Sequence, residues 1–451
     1  MIVRDLADRL DRVPVTGFHW KLLLLSGLGW MFDAMDILLV GSVIAAVSRE
    51  WGLDAGTAAW ISSINLLGMF VGASLAGTLS DRIGRKAMFQ ATLLIYSVFT
   101  GLSALAWNAA SLMVLRFLAG VGLGGELPVA STLLSEFAPA NRRGAMVVLL
   151  ESFWAYGSVL AALIGYLVIP SYGWQAAFLI GALPAFYVFV LRREMPESPR
   201  FLIAQGRLAE AEAVVRSVEA RAGITAEESI KPVVGGAPSS PGAAAAFREL
   251  FGGVYRRRTI VLWAMWATMN FSYYGIFLWL PLQFVRKGFT LDQALLFNLI
   301  IAVAQIPGYF AAAYLVERWG RKPTLVSFLV LCAVGSYFFG QVALEANDVS
   351  LILIWGSVIS FFNLGAWGVV YTYTPELYPT RLRGTGAGWA AAFGRIWGIL
   401  APLSIGAQLA LFGSDITVFL VFTAAMLLGA LIVLALGEET KGRTLEQIAG
   451  A

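Results

Sequence analysis

The chain has almost none of the side chains from which soluble enzymes build metal and nucleophile sites. Its 451 residues include one cysteine, Cys332, and one histidine, His19. A disulfide needs two cysteines, and a zinc site normally draws three or four ligands from Cys, His and acidic residues. The sequence therefore excludes an intramolecular disulfide. It predicts no metal centre, no cofactor and no Ser/His or Cys/His catalytic pair, so we do not expect an enzyme.

Charge is scarce as well. Charged residues make up 13% of the chain and hydrophobic residues 59%. Repeated apolar runs of 18 or more residues are typical of a helical membrane protein, whereas a β-barrel shows alternating segments of about ten residues. The bilayer is therefore an expected partner. The formal charge of +4 does not predict nucleic-acid binding, because most of the basic residues lie in the loops and tails on one side of the predicted membrane spans.

Twelve apolar runs with polar breaks predict an all-α protein with twelve transmembrane helices, spans 1 to 12. They centre near residues 35, 68, 97, 123, 157, 183, 270, 303, 333, 361, 397 and 425. If the N-terminus is cytosolic, 27 of the 32 Lys and Arg residues lie in cytosolic loops and tails. This asymmetry predicts a multi-pass protein of the cell (inner) membrane with both termini in the cytosol.

A long polar break divides the spans into six and six. We predict a first bundle at 1–193, a cytosolic linker at 194–258, a second bundle at 259–437 and a cytosolic tail at 438–451. Within the linker, 204–222 predicts an amphipathic helix, and the Pro/Gly/Ser/Ala-rich stretch 233–246 predicts a flexible segment.

Loop motifs repeat between the halves. SDRIGRK (80–86) matches VERWGRK (316–322), and NRRG (141–144) matches TRLRG (380–384). The matching positions lie 236 and 240 residues apart, so the spacing predicts two pseudo-symmetric bundles with a substrate path at their interface near the bilayer midplane.

Charged residues inside the spans are the strongest functional signal. Asp33 and Asp36 lie in span 1 (22–47), and each costs roughly 2.5–3.5 kcal/mol at the centre of a membrane helix. Three residues apart, they share nearly one helix face, which should point at a cavity. The alternative is that they only hydrogen-bond span 1 to a neighbour. Arg116 in span 4 needs an acidic or carbonyl partner, for which Asp33 and Asp36 are the first candidates.

Two further acids, Glu126 and Glu151, are the next candidates to pair with Arg116. The glycines after Arg116, in GVGLGG, predict close helix packing rather than a dinucleotide site, because no strand precedes them.

These motifs resemble the major facilitator superfamily. GTLSDRIGRK is similar to its helix 2–3 signature, and Arg116 with its glycines is similar to the helix 4 signature. PESPRFL, PELYPTRLRG and TKGRTLEQI resemble the sugar-porter and organic-ion branch, although Glu438 stands where that branch usually has proline. The resemblance implies alternating access and a role for Arg116 in proton coupling. It also implies a conformational latch in each half, formed by Asp81, Arg82 and Arg85 and by Glu317, Arg318 and Arg321. The alternative is that these loops are only solvated and basic.

A narrower resemblance concerns the cavity-facing helices. WMFDAMD, FWAYG, FSYYGIFLWLP and the spacing from Trp367 to ELYP resemble the bacterial niacin transporters and their synaptic vesicle glycoprotein 2 relatives. This implies a small aromatic monocarboxylate substrate, with nicotinate as the first choice. Arg395, the embedded cation of span 11, would bind the carboxylate, unless it pairs with an acid such as Glu376.

Five aromatic residues would then flank the substrate ring: Trp154, Tyr273, Tyr274, Trp367 and Tyr371. Asn363 and Gln305 could add hydrogen bonds. Core packing is the alternative for each aromatic side chain taken singly.

The predicted function is proton-coupled import by a monomer, with Asp33, Asp36, Arg116 and Glu126 handling the proton. No G-x-x-x-x-G-K-[ST] motif is present, which argues against ATP-driven transport. Open alternatives are a benzoate- or hydroxybenzoate-type symporter, a sugar:proton symporter, and a non-transporting receptor on the same scaffold.

Overall fold

The computed structural model describes residues 9–10, 13–139, 142–224, 243–253 and 255–441. Every regular element in these ranges is helical. The first half contains α1 (Gly17–Trp51), α2 (Ala55–Ile83), α3 (Arg85–Ser103), α4 (Ala109–Phe137), α5 (Arg143–Gly181), a 3₁₀ turn (Leu183–Phe186) and α6 (Tyr187–Glu194).

Three short helices follow before the second half begins. These are α7 (Pro199–Ala204), α8 (Leu208–Arg221) and α9 (Ala243–Leu250). The second half contains α10 (Tyr255–Arg286), α11 (Leu291–Val303), α12 (Gln305–Arg318), α13 (Arg321–Phe338), a π-helical turn (Phe339–Ala343), α14 (Leu344–Ala346), α15 (Val349–Glu376), α16 (Thr380–Phe412) and α17 (Asp415–Leu436).

Helix length and hydropathy account for twelve membrane crossings. Among the described residues, nine helical runs are long and apolar enough by length and composition to cross a bilayer. One of these, Ala145–Glu194, has 50 residues, which is enough for two crossings, and Gly173 breaks it with φ +82°. α3 and α10 bring the total to twelve. The prediction of twelve spans is confirmed.

Helix α1 lies at the centre of the molecule. Its most apolar stretch is 89% buried, and it contacts α2, α4 and α5 of its own half as well as α10 and α11 of the other. A helix surrounded by protein has no single apolar face, so the even spread of apolar residues around α1 follows from its position. The acids in α1 therefore face other helices, never lipid.

Glycines set the close spacing of α2 and α4. A Cβ atom on Gly72 would overlap the carbonyl group of Val121, and one on Gly124 would overlap the carbonyl group of Met69. Small residues let two membrane helices approach until their backbones touch. The GVGLGG sequence after Arg116 therefore serves helix packing, as its position in an apolar run predicts.

The two halves touch along helices that line the central cavity. The Ser63 hydroxyl donates a hydrogen bond of 2.9 Å to the Ile399 carbonyl, and a Cβ atom on Gly41 would meet the backbone of Leu278 at 2.8 Å. These contacts bring α1 and α2 against α10 and α16, so residues from both halves face one another across the interface.

The linker is partly helical. Where 204–222 predicts an amphipathic helix, α8 forms and buries Ala211, Val215 and Val218. Arg9 binds two acids of α8, with hydrogen bonds of 2.6–2.8 Å to Glu219. Residues 233–242 of the stretch predicted as flexible lie outside the described residues, while its last four residues, 243–246, begin α9.

Candidate functional site

A cavity lies between the two halves. The volume open to the centre of a water-sized sphere is about 70 Å³. Its described lining residues are Trp30, Met69, Glu151, Trp154, Trp266, Asn270, Tyr273, Tyr274, Tyr309, Leu364, Trp367, Tyr371, Ala391 and Arg395. The size and the aromatic lining suit a ligand with a single ring.

The predicted carboxylate-binding residue, Arg395, lies in this cavity. It is half-buried on α16, and no acidic side chain pairs with it among the described residues. Glu376, the alternative partner, instead binds Arg321 with a closest approach of 2.9 Å. The hydroxyl-bearing rings of Tyr274 and Tyr371 are its electrostatic neighbours. A guanidinium in such a place is available to an anionic ligand.

All five predicted aromatic residues line the same cavity. The Trp154 indole Nε1–H donates a hydrogen bond of 2.6 Å to the Tyr273 hydroxyl, which joins the two halves at the cavity wall. The Trp367 and Tyr371 rings are stacked, with centroids 5.5 Å apart and planes 29° apart. Rings locked in this way present fixed flat surfaces to a flat ligand.

Two other predicted substrate contacts lie behind the cavity wall. Gln305 accepts a hydrogen bond of 3.4 Å from the Tyr273 hydroxyl. The Asn363 side-chain amide donates one of 3.1 Å to the Ser272 hydroxyl. Both side chains are almost fully buried, and neither is among the described lining residues of the cavity.

The embedded charges of the first half form two separate groups. Arg116 forms an ion pair with Asp36, and its guanidinium also donates to Thr100 at 3.1 Å and to Asn65 at 3.2 Å. Asp33 does not join this group. Its carboxyl lies beside that of Glu126, and no protein donor reaches any of the four oxygens within the described part of the chain.

The shape of the chain and its relatives identify the family. A family model described as "Sugar (and other) transporter" matches residues 40–451. The chain belongs to this transporter family. It is 47% identical over 446 residues to the niacin transporter NiaP of Acinetobacter baylyi, with 98% of this chain and 99% of that protein covered.

Two further comparisons concern a more distant relative and a solved structure with the same fold. The synaptic vesicle 2-related protein of Rattus norvegicus is 29% identical over 461 residues, covering 98% of this chain and 82% of that protein. Among solved structures, the xylose transporter XylE from E. coli matches with a TM-score of 0.76 at 18% identity, covering 95% of this chain and 100% of that one. The fold is therefore the major facilitator fold of two six-helix bundles, and the chain is a multi-pass membrane transporter, not an enzyme.

Sequence reasoning for this transporter missed part of the cavity wall. Trp30 stands three residues before Asp33, Trp266 lies two turns before Tyr274, and Asn270 lies one turn before it. The period of 3.6 residues would have placed the last two on the Tyr274 face of α10. Glu151 was considered only as a partner for Arg116, although an acid in an apolar helix is itself a sign of a site.

The loops with the repeated RxGRK spacing have the same backbone turn in both halves. Gly84 and Gly320 have φ values of +102° and +108°, a region that side chains other than glycine rarely adopt. Each glycine precedes a helix start, at α3 and α13. The matching turns explain why the spacing repeats.

Acids from other segments cap these helix starts. In the first half, Glu197 accepts hydrogen bonds from the backbone N–H groups of Arg85 and Lys86 at 3.0 and 3.2 Å. The Arg85 guanidinium also lies 3.7 Å from the Glu136 carboxylate. A carboxylate here satisfies two free backbone donors and the helix dipole.

The second half repeats this arrangement. Glu439 accepts hydrogen bonds from the N–H groups of Arg321 and Lys322 at 3.0 and 3.1 Å. The Arg321 side chain binds Glu376 with two nitrogens. Glu317, the acid expected to latch this loop, is 75% exposed and lies 3.4 Å from Arg321. The start of α13 is therefore capped by Glu439 and not by Glu317.

Of the remaining predicted latch residues, Arg318 is the one whose side chain the structure describes. Arg318 donates a hydrogen bond of 2.6 Å to the Tyr314 hydroxyl, and its carbonyl accepts one of 2.7 Å from Lys441. The side chains of Asp81 and Arg82 lie outside what the structure describes.

Replacing Arg116 by leucine should destabilise the fold by about 3–5 kcal/mol, because Asp36 would remain as a buried charge without its partner. Thermal unfolding of the purified protein in detergent would measure the loss. The double variant Asp36→Leu/Arg116→Leu should recover most of it, since no unpaired charge remains. A single leucine variant as stable as wild type would contradict this.

Proposed function

We propose that the protein is a proton-coupled secondary transporter that imports a small aromatic monocarboxylate, with nicotinate as the first choice, by alternating access. The observation that carries the proposal is a guanidinium, Arg395, placed without an acidic partner in the described chain inside an aromatic cavity between two bundles. A carboxylate on a flat ring satisfies both parts of such a cavity. The high identity to a protein named as a niacin transporter supports the same substrate.

The proton site in this proposal is the pair of Asp33 and Glu126. Two carboxylates that lie side by side away from water repel each other, and a shared proton removes the repulsion. The pair has no donor from the described protein to do this instead. Asp36 is not part of this pair, because it is bound to Arg116. The pair would therefore gain and lose one proton per cycle while the ion pair keeps α1 and α4 together.

Alternating access would come from rocking of the two bundles around the cavity, which residues of both halves line. In this proposal the protein is a monomer in the cell (inner) membrane, and its basic loops, linker and termini face the cytosol. In this proposal the capped starts of α3 and α13 lie on that side and would act as the latches. Their capping acids, Glu197 and Glu439, belong to the same half as the helix that each one caps.

A sugar substrate fits the cavity less well. Sugar sites usually present several side-chain amides, and Asn270 is the one such residue among the described lining residues. Its side-chain N–H already donates a hydrogen bond of 2.8 Å to the Trp266 carbonyl. A benzoate-type substrate is the closer rival, since it too offers a carboxylate on a flat ring.

Uptake of labelled nicotinate into proteoliposomes, with and without an inward proton gradient, tests this function. We expect uptake that rises with the gradient and that unlabelled nicotinate suppresses, while excess xylose does not. Xylose uptake without nicotinate uptake would move the protein to the sugar porters. Nicotinate binding with no uptake under any gradient would favour the receptor alternative.

A further inference from the structure

The cavity has a second charged lining residue, which belongs to the other half of the chain from Arg395. Glu151, on α5 of the first half, lines the same cavity and is only 3% exposed. No basic side chain pairs with it among the described residues, and its carboxyl faces the Tyr371 hydroxyl and the Trp30 indole. A buried acid without a cation is costly, so a ligand group that hydrogen-bonds with it would be stabilising.

Arg395 and Glu151 belong to opposite halves and do not neutralise each other. They line one cavity, yet no ion pair joins them within 4.0 Å. The cavity thus holds one basic and one acidic side chain, and the rings of Tyr274 and Tyr371 are electrostatic neighbours of both. A single-ring ligand that carries an anion on one edge and a hydrogen-bonding nitrogen on another complements both side chains.

We propose that Glu151 is a specificity residue that recognises the ring nitrogen of a heteroaromatic carboxylate. This inference rests on the proposed function. In the bound state one proton lies between the Glu151 carboxyl and the ring nitrogen, while Arg395 holds the substrate carboxylate. The proton is taken up from water by the carboxyl or by the ring nitrogen, which then donates it in a hydrogen bond to the other. No other bond of the substrate forms or breaks.

Two consequences follow from this arrangement. A benzoate ring presents a C–H group to Glu151, so the acid stays buried without a partner and affinity falls. In addition, the ligand contacts α5 with its nitrogen and α16 with its carboxylate. A ligand that binds both halves at once favours the state in which they are closed around it.

Binding to the full-length protein in nanodiscs tests the inference without relying on transport. Nicotinate and benzoate affinities are measured by calorimetry for wild type, Glu151→Met and Glu151→Gln. Wild type should prefer nicotinate at least about tenfold, the worth of one hydrogen bond to a charged group. Glu151→Met should lose that preference through weaker nicotinate binding alone. Glu151→Gln retains a donor and an acceptor, so it should restore part of the preference.

Glu210→Met makes the same replacement on the exposed face of α8 and should change neither affinity. Equal weakening of both ligands in Glu151→Met, or unchanged nicotinate binding, would overturn the role of Glu151. So would a wild-type protein that binds the two ligands equally well. Wild type that binds neither ligand would overturn the proposed substrate class, and this inference with it.

Discussion

Alanine in place of Arg395 is expected to weaken nicotinate binding at least about a hundredfold and to remove uptake at low substrate concentration. The guanidinium can give a carboxylate two charge-assisted hydrogen bonds, each worth about 1.5–3 kcal/mol. Loss of about 3 kcal/mol corresponds to roughly a hundredfold in affinity. Calorimetry on the purified protein and uptake in proteoliposomes measure the two effects separately.

Ligand and side-chain controls make this test specific. Arg395→Lys keeps the charge but not the planar fork, so it should bind nicotinate with an intermediate affinity. Nicotinamide has no carboxylate, and any binding it shows should be insensitive to Arg395→Ala. Arg216→Ala, at a site 67% exposed on α8, serves as the neutral control. If Arg395→Ala takes up nicotinate normally under a proton gradient, the carboxylate clamp lies elsewhere, although transport itself would stand.

The sequence predicted the fold well because membrane solvation leaves few choices. Apolar runs that are long enough to span the bilayer must form helices, and the distribution of basic loops sets the orientation of these helices. The loop repeat anticipated the common geometry that Gly84 and Gly320 now display. The turn needs glycine in each half, so the two loops share this residue even though the surrounding helices differ in sequence.

The sequence correctly named Asp33 and Asp36 as the candidate partners of Arg116, but it could not decide which of the two forms the ion pair. Asp33 and Asp36 share a helix face by spacing, yet one meets Glu126 and the other meets Arg116. Which acid meets the arginine depends on how α1 and α4 cross, and glycine contacts with a third helix set the position of α4. A residue pattern predicts which face of a helix a side chain lies on. It does not predict the position along the helix axis at which a neighbouring helix crosses.

For the cavity, too, the sequence predicted some lining residues and could not decide the position of others. Arg395 was singled out because it is a charged residue inside a membrane span. The five aromatic residues were singled out by the motif resemblance. Asn363 and Gln305 could not be distinguished from cavity residues, because a polar side chain that supports another side chain and one that faces a ligand occupy similar positions in an apolar helix. Only the hydrogen bonds to Ser272 and Tyr273 separate the two cases.

Neutral replacement of the carboxyl pair should uncouple transport. One proton moving down a gradient of about one pH unit releases about 1.4 kcal/mol, which supports roughly tenfold accumulation of a co-transported substrate. In Asp33→Asn or Glu126→Gln the pair can no longer gain and lose that proton. We expect accumulation to fall to the level reached without a gradient, while exchange of labelled for unlabelled nicotinate continues.

The same variants separate coupling from folding. Each removes a repulsion between two buried acids, so thermal stability should be unchanged or higher than in wild type. Asp36→Asn is the matched control, because it leaves Arg116 without its charged partner and should lose stability instead. Full accumulation in both Asp33→Asn and Glu126→Gln would place the proton elsewhere. Glu151, the one acid among the described lining residues of the cavity, would then be the candidate, and the proton would travel together with the substrate ring.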